Sequence, residues 1–526
     1  MLRYLPFAVV VGAVAALVLV PSFPVWTAVF SVPLLALGLW DLLQRRHSLF
    51  RNYPLLGHIR ILSESIRPMI HQYFVESDTD GRPFDREQRV LVYHRAHDQV
   101  ASQPFGTERD TGRVGYEWIN HSIAPKAPCA EVPRVRVGDR CAQPYDTALL
   151  NISAMSFGSL SGAAIEALSK GARRGGFAHD TGEGAISPYH LNGGADLIWE
   201  LGTGYYGCRT ADGGFDPEAF AEKATLPNVR MIEVKLSQGA KPGHGGILPA
   251  AKVSEEIAAT RGIPVGRECV SPPFHRTFDT PIGLLEFLST LRELSGGKPV
   301  GFKLCIGHRW EFLSICKAML DTGLRPDFIV IDGKEGGTGA APAEFTDHVG
   351  TPLRDGLLFA RNALVGCGLK DDVRLAAAGK VVSGFDMAIC MALGADWCNA
   401  ARAFMFALGC LQSQHCHNNK CPVGIATQDP LRQRGLDIED KAQRVARFQE
   451  QTVHALLEIT GAVGLDHPHE LDPVHFFHRQ SSRESSRLSE TYPFLTPGSL
   501  LAGDVDEKWR DLWDASAAHS FARVAA

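Results

Sequence analysis

Apolar positions are spread unevenly along the chain. From Tyr4 to Trp40 there is no Asp, Glu, Lys or Arg, and Ala, Val, Leu and aromatic residues dominate. A run of this kind is apolar enough for a bilayer. As one helix it would be about 55 Å long against a hydrocarbon core of about 30 Å, and Pro21 and Pro24 interrupt it near its middle. The pattern predicts a transmembrane hairpin of two short spans over residues 1–43. A single kinked span is one alternative. A cleaved signal peptide is the other, opposed by the poor small-residue cleavage site at Pro21-Ser-Phe-Pro24. Arg3 precedes the run and Arg45, Arg46 and Arg51 follow it, so the positive-inside bias puts both ends, and with them the main body, in the cytoplasm.

Residues 44–145 read as a mixed connecting region. It has a turn at Gly81-Arg-Pro83, a candidate strand at Arg89–Tyr93, and a His94/His97 pair better suited to a surface than to a metal. From 146 onward short apolar runs alternate with helical stretches. Predicted strands are Ala148–Ser153, Phe177–His179, Val229–Lys235, Val300–Cys305, Phe328–Ile331, Val373–Ala377 and Ala395–Asn399. Between them lie helical patterns at Ser161–Arg173, Leu248–Thr260, Pro281–Leu294, Glu311–Asp321 and Leu353–Val365. Continuous apolar strands bounded by turn residues suit a buried parallel sheet, and the alternation makes the class α/β. A closed (β/α)8 TIM barrel over 146–430 is preferred to an open doubly wound sheet, because the early G-x-G-x-x-G after a first strand is missing. A helical C-terminal region, 431–526, completes the chain. It carries a periodic segment at Ile438–Thr460, and Trp509 and Trp513 stand four apart on an amphipathic helix that suits core, membrane surface or subunit contact.

Composition narrows the function. With 526 residues, 45% of them apolar, the chain can bury a large core, which excludes wholesale disorder. Its 53 basic and 58 acidic residues leave a net charge of −5, which argues against nucleic acid as a partner. Glycine, 52 residues, is enriched over the usual share of roughly 7%. The glycine-rich runs follow predicted strands: Met155-Ser-Phe-Gly-Ser159, Asp180-Thr-Gly-Glu-Gly184, Asp332-Gly-Lys-Glu-Gly-Gly-Thr-Gly339, Ala378-Gly-Lys380 and Ala400-Ala-Arg402. Small residues let backbone N–H groups approach a phosphate, and the last barrel loops are its common seat. Together the runs point to a phosphorylated cofactor.

Three of the 12 cysteines, Cys410, Cys416 and Cys421, fall within 12 residues, and Pro422 follows the last. In a cytoplasmic body clustered thiols suggest metal or redox chemistry rather than disulfides. Three thiolates without a fourth suit an iron–sulfur cluster, and zinc remains open because His415 or His417 could supply a fourth ligand.

The segments Ile232-Glu-Val-Lys-Leu-Ser-Gln-Gly-Ala-Lys-Pro-Gly-His-Gly-Gly246, Val270-Ser-Pro-Pro273, Gly336-Gly-Thr-Gly339 and Cys410 through Cys421-Pro-Val-Gly-Ile-Ala-Thr-Gln428 resemble, in order, the FMN-binding synthase domain of glutamate synthase. The resemblance runs over about 150–430. It implies an FMN-binding barrel in which Cys410, Cys416 and Cys421 hold a [3Fe-4S] cluster that passes electrons to the flavin. It further implies reduction of 2-iminoglutarate, formed from 2-oxoglutarate and ammonia, to L-glutamate. Met155, Ser156, Gly158, Thr181, Lys303, Gly337, Gly339, Gly379, Ala400 and Arg402 would then hold FMN. Lys235, Lys241 and Glu183 would be catalytic, Glu183 handling protons during imine formation, and Gln238, Lys241 and Arg261 would bind the dicarboxylate. For Arg261 a bidentate clamp is the expectation.

Departures accompany the matches. The family's glutaminase domain is missing, and Tyr205 in Thr203-Gly-Tyr-Tyr-Gly207 stands where the family has arginine. Phe274-His-Arg276 alters the paired histidines after Ser-Pro-Pro, and Lys334-Glu335 precedes Gly-Gly-Thr-Gly. The substrate could therefore be another oxo acid or an amine such as methylamine, and a non-catalytic redox or assembly subunit is the competing reading. Either role needs an external electron-donor protein, and a homo-oligomer is compatible with both.

Overall fold

The computed structural model describes residues 2–99 and 102–525. The chain forms two compact units, the first ending at Arg86 and the second beginning at Glu87.

In the first unit, helix α1 (Leu5–Leu19) and helix α2 (Ala28–Leu43) are separated where Pro21 and Pro24 predict a break. The two helices pack closely at Gly38, where a Cβ would come within 2.3 Å of the Phe7 ring. The helical stretch Val25–Leu43, 19 residues, is long and apolar enough to cross a membrane, whereas α1 has 15 residues. At 1.5 Å per residue α1 reaches about 22 Å, short of a core of about 30 Å. Asp41, fully buried at the end of α2, accepts a hydrogen bond from Leu55 N at 2.9 Å and pairs with His58 Nε2 at 2.9 Å, tying the following Leu56–Ile70 helix back to it.

The second unit is built around a closed barrel of eight parallel strands: β1 (Leu150–Ile152), β2 (His179–Asp180), β3 (Leu197–Leu201), β4 (Val229–Lys235), β5 (Val300–Leu304), β6 (Phe328–Asp332), β7 (Arg374–Ala378) and β8 (Trp397–Ala400). Each pairs with the next in sequence and β8 pairs with β1, the (β/α)8 order. Runs such as Val300-Gly-Phe-Lys-Leu304 are buried throughout because helices cover the barrel outside while side chains fill it inside. The helix Pro281–Leu294 illustrates the local logic: Thr280 accepts from Gly283 N, Pro281 fits the first turn, and Leu284, Leu288 and Leu291 are buried along one stripe. Each such leucine contributes about 1.5–3 kcal/mol by leaving water.

Several expectations change. Arg89–Tyr93 is not a strand but lies inside the helix Arg86–Ala96. Arg89, Val92 and Ala96 are buried three and four apart, a helical period that the local apolar run disguised. The stretch Leu248–Thr260 is helical as an α-helix only over Glu255–Arg261, because Pro249 and the Ser254 cap delay its start. The eighth strand, β3, escaped notice because Glu200 interrupts its apolar run. The C-terminal segments join the barrel unit: Phe476–Arg479 pairs with Glu117–Ile119, and the helix Ile438–Val463 packs on Gly162–Gly175. His97 Nδ1 engages Tyr93 O at 2.7 Å, a local surface contact.

Candidate active site

The loops that follow the barrel strands converge at one end. Gly182 and Gly184 lie against Met155 and Ser156, where a Cβ would come within 2.7 and 2.8 Å of the neighbouring atoms. The loop after β4 meets the loop after β6: Gly239 N donates to Asp332 Oδ2 at 2.8 Å, and a Cβ on Gly239 would lie 1.7 Å from Gly333 O. Gly379 has φ +137°, which L side chains rarely adopt, and adjoins Gly333. Arg402 donates to Glu335 O and its side chain lies under Gly337. Gly339 faces Cys416 O at 3.8 Å from its notional Cβ, so the cysteine loop abuts this mouth.

Glu183 stands at the centre. Its Oε2 lies 2.8 Å from Lys235 Nζ and accepts from Ser271 Oγ at 3.2 Å. Burial works to raise its pKa, but Lys235, Arg261 and Lys241 outweigh burial and hold it at about 2. Glu183 is therefore a fixed carboxylate. Lys235 Nζ is 3.5 Å from Gln238 Oε1. Lys241, 2% exposed, donates to Ala340 O at 2.8 Å, and burial lowers its pKa to about 8. Arg261 departs from the expected clamp: it is buried, donates to Phe157 O at 2.8 Å and Ser156 Oγ at 3.3 Å, and lies over the Tyr206 ring. Its geometry braces the first glycine loop, and its charge reaches Glu183 from there.

Tyr205 is fully buried at φ +47°, and its hydroxyl lies 3.0 Å from both Thr277 Oγ1 and His275 Nδ1. His275 Nε2 in turn lies 2.9 Å from Lys235 O. The two residues that break the family pattern thus form one unit behind Lys235. Phe274 is 67% exposed.

Lys303 extends into the barrel rather than to its mouth. Its ammonium pairs with Glu200, with Glu233 Oε1 at 2.7 Å and with Asp180 Oδ2 at 3.8 Å. Asp180, Glu200 and Glu233 bring carboxylate oxygens within 4.8 Å of one another. Sequence reasoning overlooked this set; the legible signal was an acidic residue inside each of two buried strands, Glu200 and Glu233.

In the cysteine segment, Gln412, Gln414 and Asn419 adopt positive φ values of 54°, 58° and 63°, which wind the loop tightly between the thiols. Burial raises the Cys410 thiol to about 12, with Cys416 and Cys421 adding to the rise. Gln428 Nε2 donates to Gly158 O and Leu160 O at 3.0 Å, and Lys252 Nζ to Ser159 O at 2.9 Å, fastening this segment to the first glycine loop. Tyr93, on the helix Arg86–Ala96, donates to Cys410 O at 2.6 Å.

Residues 139–466 match the family model described as the conserved region in glutamate synthase. The chain belongs to the glutamate synthase family. It is 35% identical over 479 residues to the glutamate synthase large subunit-like protein YerD of Bacillus subtilis, covering 83% of this chain and 91% of that one. Over 316 residues it is 36% identical to the archaeal-type glutamate synthase (NADPH) of Thermotoga neapolitana, covering 60% of this chain and 59% of the relative. The glutamate synthase (NADPH) large chain of Bacillus subtilis is 33% identical over 317 residues, a fifth of its length. The family match spans all eight barrel strands and the cysteine loop of this glutamate synthase relative, so the site lies inside the shared region.

Proposed function

We propose that this chain is a membrane-tethered, FMN-dependent glutamate synthase that aminates 2-oxoglutarate reductively to L-glutamate. The observation that carries the reading is the buried Glu183–Lys235 pair with Gln238 and Lys241 at a glycine-lined barrel mouth. The residues fit FMN: Gly337, Gly339, Gly379 and Ala400 leave backbone uncovered at the ends of β6, β7 and β8, and Arg402 adds charge for a phosphate. When bound, FMN supplies the hydride. Lys235 and Lys241 attract the two carboxylates, while Glu183 holds Lys235 in place and draws ammonium. With its low pKa, Glu183 orients cations rather than donating a proton, so Lys235 and Lys241 are the proton carriers of the site.

Cys410, Cys416 and Cys421 fit a [3Fe-4S] cluster. Their sulfurs do not all fall within 4.8 Å of one another, as ligands of one zinc at about 2.3 Å would. The loop also touches the Gly339 segment, which suits electron delivery to the flavin from an external donor protein. Val25–Leu43, with α1 beside it, supports a membrane anchor and leaves the barrel unit in the cytoplasm. A second reading, another oxo acid or amine such as methylamine, draws on the Tyr205–His275 unit behind Lys235.

The test is anaerobic purification of the full chain in detergent, with FMN and iron quantified, then mixing of the reduced protein with 2-oxoglutarate plus ammonium and with each alone. Rapid flavin reoxidation with glutamate formed supports the synthase reading. Loaded cofactors without reoxidation would sink it in favour of another substrate or a redox-subunit role. Release of the protein from membranes by salt alone would remove the anchor.

A further inference from the structure

We propose that Glu200, Glu233 and Asp180, gathered around Lys303, form a buried proton store that feeds the substrate site through Lys235. The inference rests on the amination reading above.

The three carboxylates are at most 2% exposed, and their oxygens lie within 4.8 Å of one another. One ammonium, Lys303, serves all three. Asp180 Oδ2 and Glu233 Oε2 accept no hydrogen bond. Three negative charges around one positive charge, out of reach of water, are not sustained, so the group retains at least one proton at neutral pH. Burial and Glu200 push Glu233 up to about 7 against the pull of Lys303. The surroundings offer little further compensation. Asp332 on β6 adds another carboxyl, itself engaged by Gly239 N, with Arg402 beyond it. β1 and β8 carry no charged residue, and Arg374 at the start of β7 bonds Arg136 O at the opposite end. Glu183, Lys241 and Arg261 lie toward the mouth around Lys235.

The path outward is short. Lys235 Nζ lies 3.8 Å from Glu200 Oε1 and 2.8 Å from Glu183 Oε2, and its residue is paired with Lys303 across β4 and β5. Condensation of the oxo acid with ammonia forms C=N and releases water. Saturating C=N takes two electrons and two protons. One proton arrives at C2 with the electron pair as hydride from reduced flavin, which an external protein reductant reloads. The other is added at nitrogen. Lys235 gives that second proton, and the Glu200–Glu233 carboxyl returns it to Lys235 without admitting water to the barrel.

The test uses the detergent-solubilised full chain with FMN bound. Infrared difference spectra between neutral and alkaline pH, in H2O and D2O, should contain a protonated-carboxyl band in the wild type that Glu233→Gln removes. With dithionite as reductant, Glu200→Gln and Glu233→Gln should lower kcat for glutamate formation by about tenfold or more. They should also shift its alkaline limb to lower pH and leave the KM for 2-oxoglutarate nearly unchanged. An absent band, or wild-type pH profiles in both variants, would overturn the store. A wild-type protein that binds FMN yet makes no glutamate would instead overturn the amination reading. The wild-type band is read without any variant, so a variant that fails to fold leaves the test intact.

Discussion

The Lys235 ammonium sits 2.8 Å from the Glu183 carboxylate, with both side chains less than 15% exposed. Removing one partner of a buried pair leaves the other charge uncompensated, at a cost of about 3–5 kcal/mol. Glu200, 3.8 Å from Lys235, offsets part of this in Glu183→Gln, so the lower end of that range is expected. Glutamate formation should fall by about a hundredfold or more, with FMN content retained. Because the folded pKa of Glu183 is depressed to about 2 from 4.5, its contribution to stability is present above the unfolded value. It is lost as pH falls toward 2. Denaturation curves of wild type and Glu183→Gln should therefore converge in acid and separate at neutral pH.

Lys241 gives the alkaline prediction. Burial lowers its pKa from 10.5 to about 8, so the cation that meets a dicarboxylate disappears as pH rises past that point. In a plot of kcat/KM for 2-oxoglutarate, which reports the free enzyme, a decline should set in above about 8. Lys241→Arg, charged throughout, should abolish that limb even where its absolute rate is lower. For folding the sign is opposite: the unfolded chain holds the proton more tightly, so this residue's penalty shrinks as pH rises from about 8 to 10.5.

Tyr205 and His275 make a prediction about architecture. Loss of the hydroxyl in Tyr205→Phe leaves His275 Nδ1 and Thr277 Oγ1 without that partner in a closed interior. A stability loss of about 1–3 kcal/mol is expected, measured by chemical denaturation. Because His275 also holds the Lys235 carbonyl, the KM for the oxo acid should rise while FMN content stays unchanged. An unchanged KM would detach the Tyr205 unit from substrate selection.

The cysteine loop predicts a separable metal defect. Cys416→Ser should lose iron and the electron route from an external donor, because its segment lies beside Gly339 but outside the flavin cradle itself. FMN should remain bound and reducible directly by dithionite. Loss of zinc rather than iron would reassign the site.

Much of this was legible before any coordinates. Val229–Lys235 appears in the structure with the bounds that its apolar run predicts, and Pro281–Leu294 likewise, because an uninterrupted apolar pattern, a Thr cap and a first-turn Pro all agree there. The glycine runs could be placed at strand ends because the strands themselves were readable. What the chain concealed were the positions where function opposes local preference. Glu200 broke the pattern of β3 and hid the strand, yet its carboxylate belongs to the charged set inside the barrel. Arg261 looked like a free cation on a helix end, and only the tertiary arrangement reveals its bonds to Ser156 and Phe157. The Arg89–Tyr93 run was ambiguous because five residues cannot distinguish a period of two from one of 3.6 when charged residues occupy the buried face.

The tryptophans of the C-terminal helix Glu507–Asp514 supply the last prediction, since three roles were open for them. Trp509 is 7% exposed and stacks on Phe359 with ring centroids 5.0 Å apart and planes at 6°. Phe359 lies on the helix Leu353–Gly366, which follows β6, so the tail helix is part of the barrel's outer packing. Trp513 is half-buried beneath Lys317 Nζ, 4.6 Å from its ring centre. Burial decides between the two. Trp509→Ala opens a cavity and should cost about 3–5 kcal/mol, whereas Trp513→Ala forfeits a cation–π contact worth about 0.5–1 kcal/mol along with modest area. A membrane-surface role predicts the reverse emphasis, with the more exposed ring controlling partition into lipid. Denaturation midpoints and membrane fractionation of both variants therefore separate the roles: a large stability loss confined to Trp509→Ala, with membrane association unchanged in both, assigns the helix to the core.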